Sequence, residues 1–444
     1  MVQRYYFYAK IYDCLTPFNF FNSFNYQKRT IFAPMNAKRL ILGMLLLLSL
    51  IRTTAQANAL QTAGGDSTEY TLQAPVWPQT MQAELDSMMR DPLLDYTQLG
   101  FMVWDLTDDR SLFSMNHRQL LRPASTMKLL TAVTALDLLG TDHQYTTSLY
   151  YKGEVQNHTL TGDLYCVGGM DPAFSHDDLS NFAESLRRMG IDTISGGCIV
   201  ADVSMKDTLK WGEGWCWDDD NPCLSPLLVD RKPMFILLFV NALMEKGIVL
   251  RDVSTGSGIL PEGATLVSER KRSTDQILLR MMKDSDNLYA ESMYYQISAR
   301  AGGRHAKALD AQRQQRMLME RAGLNSSLYR LTDGSGLSLY NYLSAEAEVK
   351  VLRYAYQHTP VYAHLQPSLP IAGVDGTLKR RMKGTPAYNN VHAKTGTLTG
   401  IISLAGYCTA SNGHLLCFAI INQGTLRPAE ARKFQDQICV ILCQ

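Results

Sequence analysis

The sequence predicts an α/β protein of the α+β type, in which an antiparallel sheet is flanked by helices and a mainly β domain is inserted. Strand pairs are predicted near both chain ends, at 99–115 and 401–422, and a helix accompanies each pair. Strands from the two ends can therefore complete one sheet. In between, residues 146–265 change to short strands separated by Gly, Asp and Asn, and 444 residues are enough for two cores.

The N-terminal region predicts export. A short basic segment at 35–39 precedes a continuous apolar run at 40–51, and small residues up to Ala57 suit a cleavage site. We therefore expect a signal peptide at 35–57, cleaved near Ala57, and a periplasmic mature protein. The apolar run is short for a membrane span, although an uncleaved anchor is the alternative. Residues 1–34 then form an upstream extension, either an artefact of the assigned start or a tail.

The first part of the main domain covers residues 58–145. After a polar lead-in, apolar periodicity and turn residues predict a helix at 79–89, strands at 99–106 and 112–115, and a buried helix at 123–140. Pro123 suits the first turn of that helix, and Gly140 suits its end.

The insertion covers residues 146–265. Its short apolar segments predict strands at 146–151, 160–167 and 197–202 and helices at 178–189 and 234–246.

The second part of the main domain covers residues 266–444. A capping box that opens at Ser273 predicts a helix to Lys283. Apolar periodicity and the hairpin signal Asn412-Gly413 predict helices at 287–299, 307–321 and 428–443 and strands at 391–394, 401–409 and 415–422.

Because we expect the protein to be exported, its cysteines are candidates for disulfides. Cys408 and Cys417 lie equally far from the centre of Asn412-Gly413, so a two-residue hairpin turn would place them opposite each other. Two further candidate pairs are Cys216 with Cys223 and Cys166 with Cys198. Buried free thiols are the alternative for each of them.

Composition argues against several classes of protein. The 43 basic and 42 acidic residues balance, so nucleic acid is not expected as a partner. The cysteines have no Cys-x-x-Cys spacing and the histidines are scattered, so neither a metal nor another cofactor is expected. The sequence does not indicate an oligomeric state.

The first candidate functional motif is Ser125-Thr126-Met127-Lys128 at the start of the buried helix. Three residues are just under one helical turn, so the Ser125 hydroxyl and the Lys128 amine share a face. Desolvation lowers the pKa of a lysine and lets it act as the base that activates a serine. The alternative is a helix-start serine beside a solvated lysine. The same spacing at 268–271 lies in a charged segment that would not desolvate the lysine.

Two further motifs complete a pattern. Ser285-Asp286-Asn287 lies at the break between two helices, where a hydroxyl and a carboxamide can face a cleft, although a simple helix cap is the alternative. Lys394-Thr395-Gly396-Thr397 ends a strand and offers a cation and a hydroxyl to a carboxylate. Gly396 lacks a side chain, so we expect it to let substrate backbone pair along the strand edge. A solvated edge lysine is the alternative here.

In this order and after an export signal, the three motifs are the signature of penicillin-recognising serine enzymes. Over residues 80–444 the chain resembles the D-alanyl-D-alanine carboxypeptidase/endopeptidase family of low-molecular-mass penicillin-binding proteins that carry a large insertion. Besides the motifs, the similar segments are 162–165, 168–172, 214–218, 286–291, 333–338 and 392–400. The resemblance implies a serine β-lactamase/transpeptidase-like fold, peptidoglycan stem peptides as substrate and β-lactams as inhibitors.

The resemblance also implies residue roles. Ser125 would attack the carbonyl between two D-alanines, Lys128 would take its proton, and Ser285 would relay a proton to the leaving amine. The residues implied in substrate binding are Asn287 for the amide, Lys394 and Thr395 for the terminal carboxylate, the N–H groups of Ser125 and Thr397 for the oxyanion, and Asp171 for the peptide side chain. Family members often carry an arginine after the segment 333–338, where this chain has Leu339.

Three functional hypotheses remain at this stage. The leading one is a carboxypeptidase, an endopeptidase or both. A β-lactamase or related serine esterase is the second, although the sequence has no Tyr-x-Asn in the middle motif. A non-catalytic peptidoglycan-binding protein is the third, and the intact Ser125, Lys128 and Lys394 argue against it.

Overall fold

The computed structural model describes residues 77–444. The upstream extension at 1–34 and the signal peptide at 35–57 lie outside this range. Within residues 77–444, every helix is too short or too polar to cross a bilayer.

Most of the predicted elements are present, with small differences at their ends. The helices are α1 (Gln79–Met88), α2 (Met127–Leu139), α3 (His176–Arg188), α4 (Phe235–Glu245), α5 (Thr274–Lys283), α6 (Asn287–Gly302), α7 (Ala308–Arg321), α8 (Ala345–Gln357), α9 (Thr359–Ser368) and α10 (Pro428–Leu442). The strands are β1 (Gln98–Asp105), β2 (Arg110–Met115), β3 (Gln144–Gln156), β4 (Thr159–Val167), β5 (Thr193–Ser195), β6 (Cys198–Asp202), β7 (Val249–Arg251), β8 (Ser254–Ser257), β9 (Thr265–Ser273), β10 (His392–Leu398), β11 (Ile401–Thr409) and β12 (Leu415–Gln423). Helices α8 and α9 and strands β5 and β7–β9 were not predicted.

Strands from both ends of the described chain form one antiparallel sheet, which confirms the predicted fold class. Its order is β10-β11-β12-β1-β2. The central contact joins β1 to β12, from the pair Gln98–Gln423 to the pair Asp105–Leu416. Strand β10 lies at the edge of this sheet, and beyond Ala393, whose N–H donates to the Pro370 carbonyl, its outer edge is available to a ligand.

Helices cover both faces of this sheet. Strand β11 is buried at every position except its last, as expected for a strand with apolar neighbours on both sides. One core contains α2, α6 and α8, whereas the other contains α1 and α10. The almost entirely apolar helix α2 lies deep in the first core, and ten of its residues are buried.

A second sheet of seven strands lies between α2 and α5. It is formed by residues 144–273, somewhat more than the predicted insertion at 146–265, because β9 belongs to it. Strand β9 has four consecutive charged residues at 269–272, which conceal its strand character, and it pairs with β3 along its length. Helices α3 and α4 pack on this sheet around their own apolar core.

The expected Cys408–Cys417 disulfide is absent because the hairpin register differs by one residue. Cys408 lies opposite Leu416, and Cys417 lies opposite Tyr407. Ala410 pairs with His414, so the turn has three residues and ends at Gly413, whose φ of 87° suits that position. One residue of register moves a side chain to the other face. The two cysteines therefore lie in different cores, and all eight cysteines of the described residues are free thiols.

Candidate active site

Ser125 lies in a tight turn immediately before α2. The prediction placed it in the helix, but a 3-10 turn at Ala124–Thr126 comes first and the α-helix begins at Met127. Ala124 has a φ of 50°, a left-handed conformation that is uncommon for alanine. The chain thus bends before the helix, and Ser125 remains partly exposed while its neighbours Ala124 and Thr126 are buried.

Lys128 is completely buried and contacts three separate segments. Its Nζ lies 3.0 Å from Ser125 Oγ, 2.8 Å from Asn287 Oδ1 and 2.8 Å from the Ser335 carbonyl oxygen. Burial lowers the pKa of Lys128 to about 8, although the carboxyl groups of Asp333 and Glu291 oppose this shift. A neutral fraction is therefore available near neutral pH, and it is already in contact with the hydroxyl that it would deprotonate.

Ser285 and Asn287 are held at the junction of α5 and α6. Ser285 adopts a φ of 59°, and Asp286 caps α6 by accepting from the Leu288 N–H at 3.0 Å. Arg231 of the inserted region binds the Asp286 carboxylate through both terminal nitrogens, at 2.6 and 3.2 Å. The cap and this ion pair fix the turn, so the Asn287 side chain reaches Lys128 across the site.

Lys394 is the second buried lysine of the site. Its Nζ donates to Ser285 Oγ at 2.8 Å and to the Thr395 carbonyl oxygen at 2.6 Å. Burial and the nearby Lys128 hold the pKa of Lys394 well below its usual value. Thr395 Oγ1 contacts the Thr377 hydroxyl at 2.8 Å, and Thr397 is exposed two residues further along β10.

Gly396 has a packing role in addition to the role expected from the sequence. A Cβ at this position would lie 2.0 Å from Ser403 Oγ, 2.8 Å from the Pro123 carbonyl oxygen and 3.0 Å from the Ser125 nitrogen. These atoms lie behind the strand edge, so the missing side chain allows β10 to approach the segment that carries Ser125. Gly396 therefore acts through packing.

The structure adds a supporting turn at 333–338. The Asp333 carboxylate accepts from the Gly336 and Ser338 N–H groups at 2.8 and 2.7 Å, and Glu291 accepts from the Ser335 N–H at 2.8 Å. This turn presents the Ser335 carbonyl to Lys128. Sequence inspection found the segment but not this contact, because a main-chain carbonyl leaves no residue-type signal.

Asp171 lies outside this site. Its carboxylate has no exposed surface, accepts from the Ala173 N–H at 2.9 Å and lies 3.4 Å from Arg272 Nε. Burial raises the pKa of Asp171 to about 6. The neighbouring Met170 carbonyl accepts from Ser292 of α6, so this segment anchors the inserted region to the helix and does not line the cleft.

The three predicted motifs thus meet around Lys128 and Lys394. Residues 81–229 and 229–444 match the D-Ala-D-Ala carboxypeptidase 3 (S13) family. The chain belongs to this family. S13 proteins are hydrolases, and two relatives illustrate the similarity. A D-alanyl-D-alanine carboxypeptidase of Actinomadura sp. (strain R39) is 27% identical, with 82% of this chain and 84% of the relative covered. The carboxypeptidase DacB of Haemophilus influenzae is 25% identical, with 75% and 86% covered.

Solved structures have the same fold. Penicillin-binding protein 4 (dacB) of Haemophilus influenzae matches with a TM-score of 0.72 and 22% identity over 80% of this chain and 97% of its own. The Bd3459 predatory peptidoglycan endopeptidase of Bdellovibrio bacteriovorus matches with a TM-score of 0.51 and 19% identity over 77% and 91%. The S13 fold therefore extends through the described part of the chain, including its second sheet.

We expect Gly396→Ala to slow acylation by a fluorescent penicillin by about 100-fold, because the added Cβ displaces the Ser125 segment by a fraction of an ångström to an ångström. Gly256→Ala is the matched control, since its Cβ meets only Cys198 Sγ at 3.4 Å. An unchanged acylation rate in a folded Gly396→Ala protein would contradict the packing role.

The acylation rate should rise with pH between pH 6 and 8. Lys128 must be neutral to act as a base, and its pKa of about 8 leaves it mostly protonated below that pH. Each pH unit below the pKa should therefore cost about tenfold in rate. Rapid-mixing measurements of penicillin acylation across this range test the assignment, and a flat profile would refute it.

Proposed function

We propose that the protein is an exported serine D-Ala-D-Ala carboxypeptidase/endopeptidase that acts on peptidoglycan stem peptides through an acyl-enzyme on Ser125. The observation that supports this most is the pair of buried lysines, each in contact with a different serine: Lys128 with Ser125, and Lys394 with Ser285. One pair is suited to activating a nucleophile and the other to handling the leaving group.

In the acylation step, Ser125 Oγ attacks the carbonyl carbon between the two D-alanines while Lys128 Nζ takes the hydroxyl proton. The N–H groups of Ser125 and Thr397 donate to the oxyanion, and each donor of such a hole typically contributes about 3–4 kcal/mol. Asn287 holds the substrate amide. Its own oxygen is already bound to Lys128, which fixes the orientation of the amide group.

The leaving amine needs a proton, and Ser285 is placed to supply it. Its hydroxyl oxygen accepts from Lys394, so its own proton remains available for the amine nitrogen. As the C–N bond breaks, D-alanine leaves with that proton, and a proton from the lysines restores Ser285. Water then hydrolyses the ester on Ser125.

The substrate carboxylate also changes the protonation of the two lysines. A carboxylate at Lys394 and Thr395 favours the charged form of Lys394, because opposite charges stabilise each other. A charged Lys394 disfavours charge on Lys128 by repulsion, and a neutral Lys128 is the form that acts as a base. Binding of the correct chain terminus thus prepares the nucleophile. A penicillin carboxylate would act in the same way and leave a stalled acyl-enzyme.

The proposal also implies a direction for the substrate along β10. With the carboxylate at Thr395 and the reacting carbonyl near Thr397, the acyl part continues toward Leu398. There it meets a cavity of about 740 Å³ that Arg122 and Asp219 help to line. We propose that this cavity holds the side chain of the third stem-peptide residue.

Arg122 is the cation available in that cavity. Its Nε donates to the Leu339 carbonyl at 2.8 Å, and its guanidinium lies over the Tyr342 ring. Among residues 77–444 no carboxylate lies within 4.0 Å of it. Arg122 thus brings a guanidinium next to Leu339, the residue at which the resemblance implied an arginine.

A β-lactamase or esterase, and a non-catalytic peptidoglycan-binding protein, are the alternatives. They differ from the proposal in turnover: a β-lactamase would release hydrolysed penicillin quickly, and a binding protein would release no D-alanine.

Ser125→Ala should abolish both labelling by fluorescent penicillin and release of D-alanine from a peptide that ends in D-Ala-D-Ala, because the nucleophile is lost. Ser268→Ala, in the second Ser-x-x-Lys segment, is the matched control and should retain both activities. Persistent labelling of the Ser125→Ala protein, or penicillin turnover by the natural protein, would exclude the proposal.

Arg122→Gln should raise KM about tenfold for a stem peptide whose third side chain carries a carboxylate. The same substitution should have little effect on a peptide in which this carboxylate is amidated, and little effect on penicillin acylation. Arg118→Gln is the control, since Arg118 is exposed and pairs with Glu346. Equal losses on both peptides would argue against the proposed contact.

A further inference from the structure

A buried network of oxygen atoms lies directly beneath the nucleophile segment. The Thr126 hydroxyl, next to Ser125, lies 2.7 Å from the Pro123 carbonyl oxygen and 2.5 Å from Glu348 Oε1. Ser403 of β11 donates to the same Pro123 carbonyl at 2.5 Å. Helix α8 and strand β11 thus both reach the turn that presents Ser125.

Counting protons shows what this network requires. Three short oxygen–oxygen contacts each need one proton, because two oxygen lone pairs at 2.5–2.7 Å repel each other. Thr126 and Ser403 supply one proton each, and the Pro123 carbonyl supplies none. The third proton must therefore belong to the Glu348 carboxyl group.

The surroundings of Glu348 also favour the neutral acid. The side chain is buried, and its second oxygen, Oε2, has no hydrogen-bond partner among the described residues. The adjoining void of about 10 Å³ has otherwise apolar walls, formed by α2, α7, α8 and Leu343. No charged group from these elements or from β11 faces the carboxyl, and the neighbouring Glu346 pairs with Arg118 and Lys350 instead.

We propose that Glu348 is a positioning residue that stays protonated in the active enzyme and, by donating to Thr126, holds the turn that carries Ser125. The hydrogen bonds then run from Glu348 to Thr126 and from Thr126 to Pro123, which also accepts from Ser403. This inference rests on the proposed role of Ser125. Loss of the Glu348 proton would force Thr126 to donate to the carboxylate and would leave the Thr126–Pro123 contact without a proton.

The same turn is constrained from the other side by Gly396. The Pro123 carbonyl and the Ser125 nitrogen lie within about 3 Å of the position that a Gly396 Cβ would occupy. Because the turn has no free space, a shift of Thr126 or Pro123 moves Ser125 relative to Lys128. Burial raises the pKa of Glu348 to about 8, so Glu348 loses its proton, and the turn is disturbed, only at alkaline pH.

The test compares Glu348→Gln with the natural protein by penicillin acylation rate from pH 6 to 9.5. A glutamine amide donates to Thr126 at every pH, so the two rates should agree within about threefold at pH 7. At pH 9.5 the natural protein should be slower than Glu348→Gln by about tenfold. Glu346→Gln, on the same helix, is the control and should follow the natural protein throughout.

A melting temperature measured over the same range adds a second readout. Folding raises the pKa of this carboxyl group, so the stability of the natural protein falls as the pH rises from the pKa of the unfolded state to that of the folded state. Glutamine does not titrate and removes this effect. The Tm of Glu348→Gln relative to the natural protein should therefore increase from pH 5 to pH 8.

A rate ratio between Glu348→Gln and the natural protein that stays constant with pH overturns the proposal. Glu348→Met, which lacks a donor, should acylate more slowly than Glu348→Gln at every pH; equal rates would also overturn it. If Ser125 is not the nucleophile, penicillin will still label the Ser125→Ala protein. The labelling experiment therefore tests the proposed function independently of the role of Glu348.

Discussion

Burial of the Lys128 amine is the constraint on which the rest of the site depends. A buried ammonium group must find acceptors, and it finds one on each of three chain segments: Ser125, Asn287 and the Ser335 carbonyl. These acceptors fix the distances among the Ser125 hydroxyl, the Asn287 carboxamide and the supporting turn. The surrounding groups offset only part of the cost of burying this charge, so the pKa of Lys128 falls and the amine can lose its proton near neutral pH.

The fold brings together the elements that surround the buried Lys128 amine. The sheet formed by both ends of the described chain places β10 beside the turn before α2, and the absence of a Gly396 side chain allows close contact. Helix α2 directs its first turn, with Lys128, into an apolar core that excludes water. Lys128 and Lys394 thus lie on a helix and a strand, while Ser125 and Ser285 lie in turns packed against them, which favours a preorganised site.

Much of this arrangement was predictable from sequence because it has local signals. The capping box at Ser273, the apolar segment after Ser125 and the strand pairs at the chain ends all gave the correct elements. The three motifs meet in space as expected. Strand β9 was missed because its charges hide the strand pattern, and α9 because Pro367 in its last turn is typical of a helix break.

Features that depend on tertiary structure were not predictable. A one-residue difference in the β11–β12 register separates Cys408 from Cys417, and the sequence does not reveal the length of the turn. Asp171 was predicted to bind substrate but is paired with Arg272. Its burial could not be predicted, because a carboxylate in a Gly-rich segment gives no signal of it. Glu348 was not recognised, since a single glutamate on an amphipathic helix resembles any surface residue until its neighbours are known.

The pairing of β3 with β9 determines how the second sheet is connected to the first. These strands are the entrance and the exit of the second sheet, and they lie side by side from Gln144–Ser273 onward. The chain therefore enters and leaves the second sheet at one place, while contacts such as Met170 with Ser292 add to the attachment. A change of length within the second sheet need not alter the path of the chain through the first one, but it must preserve the contacts that reach the site, such as Arg231 with Asp286.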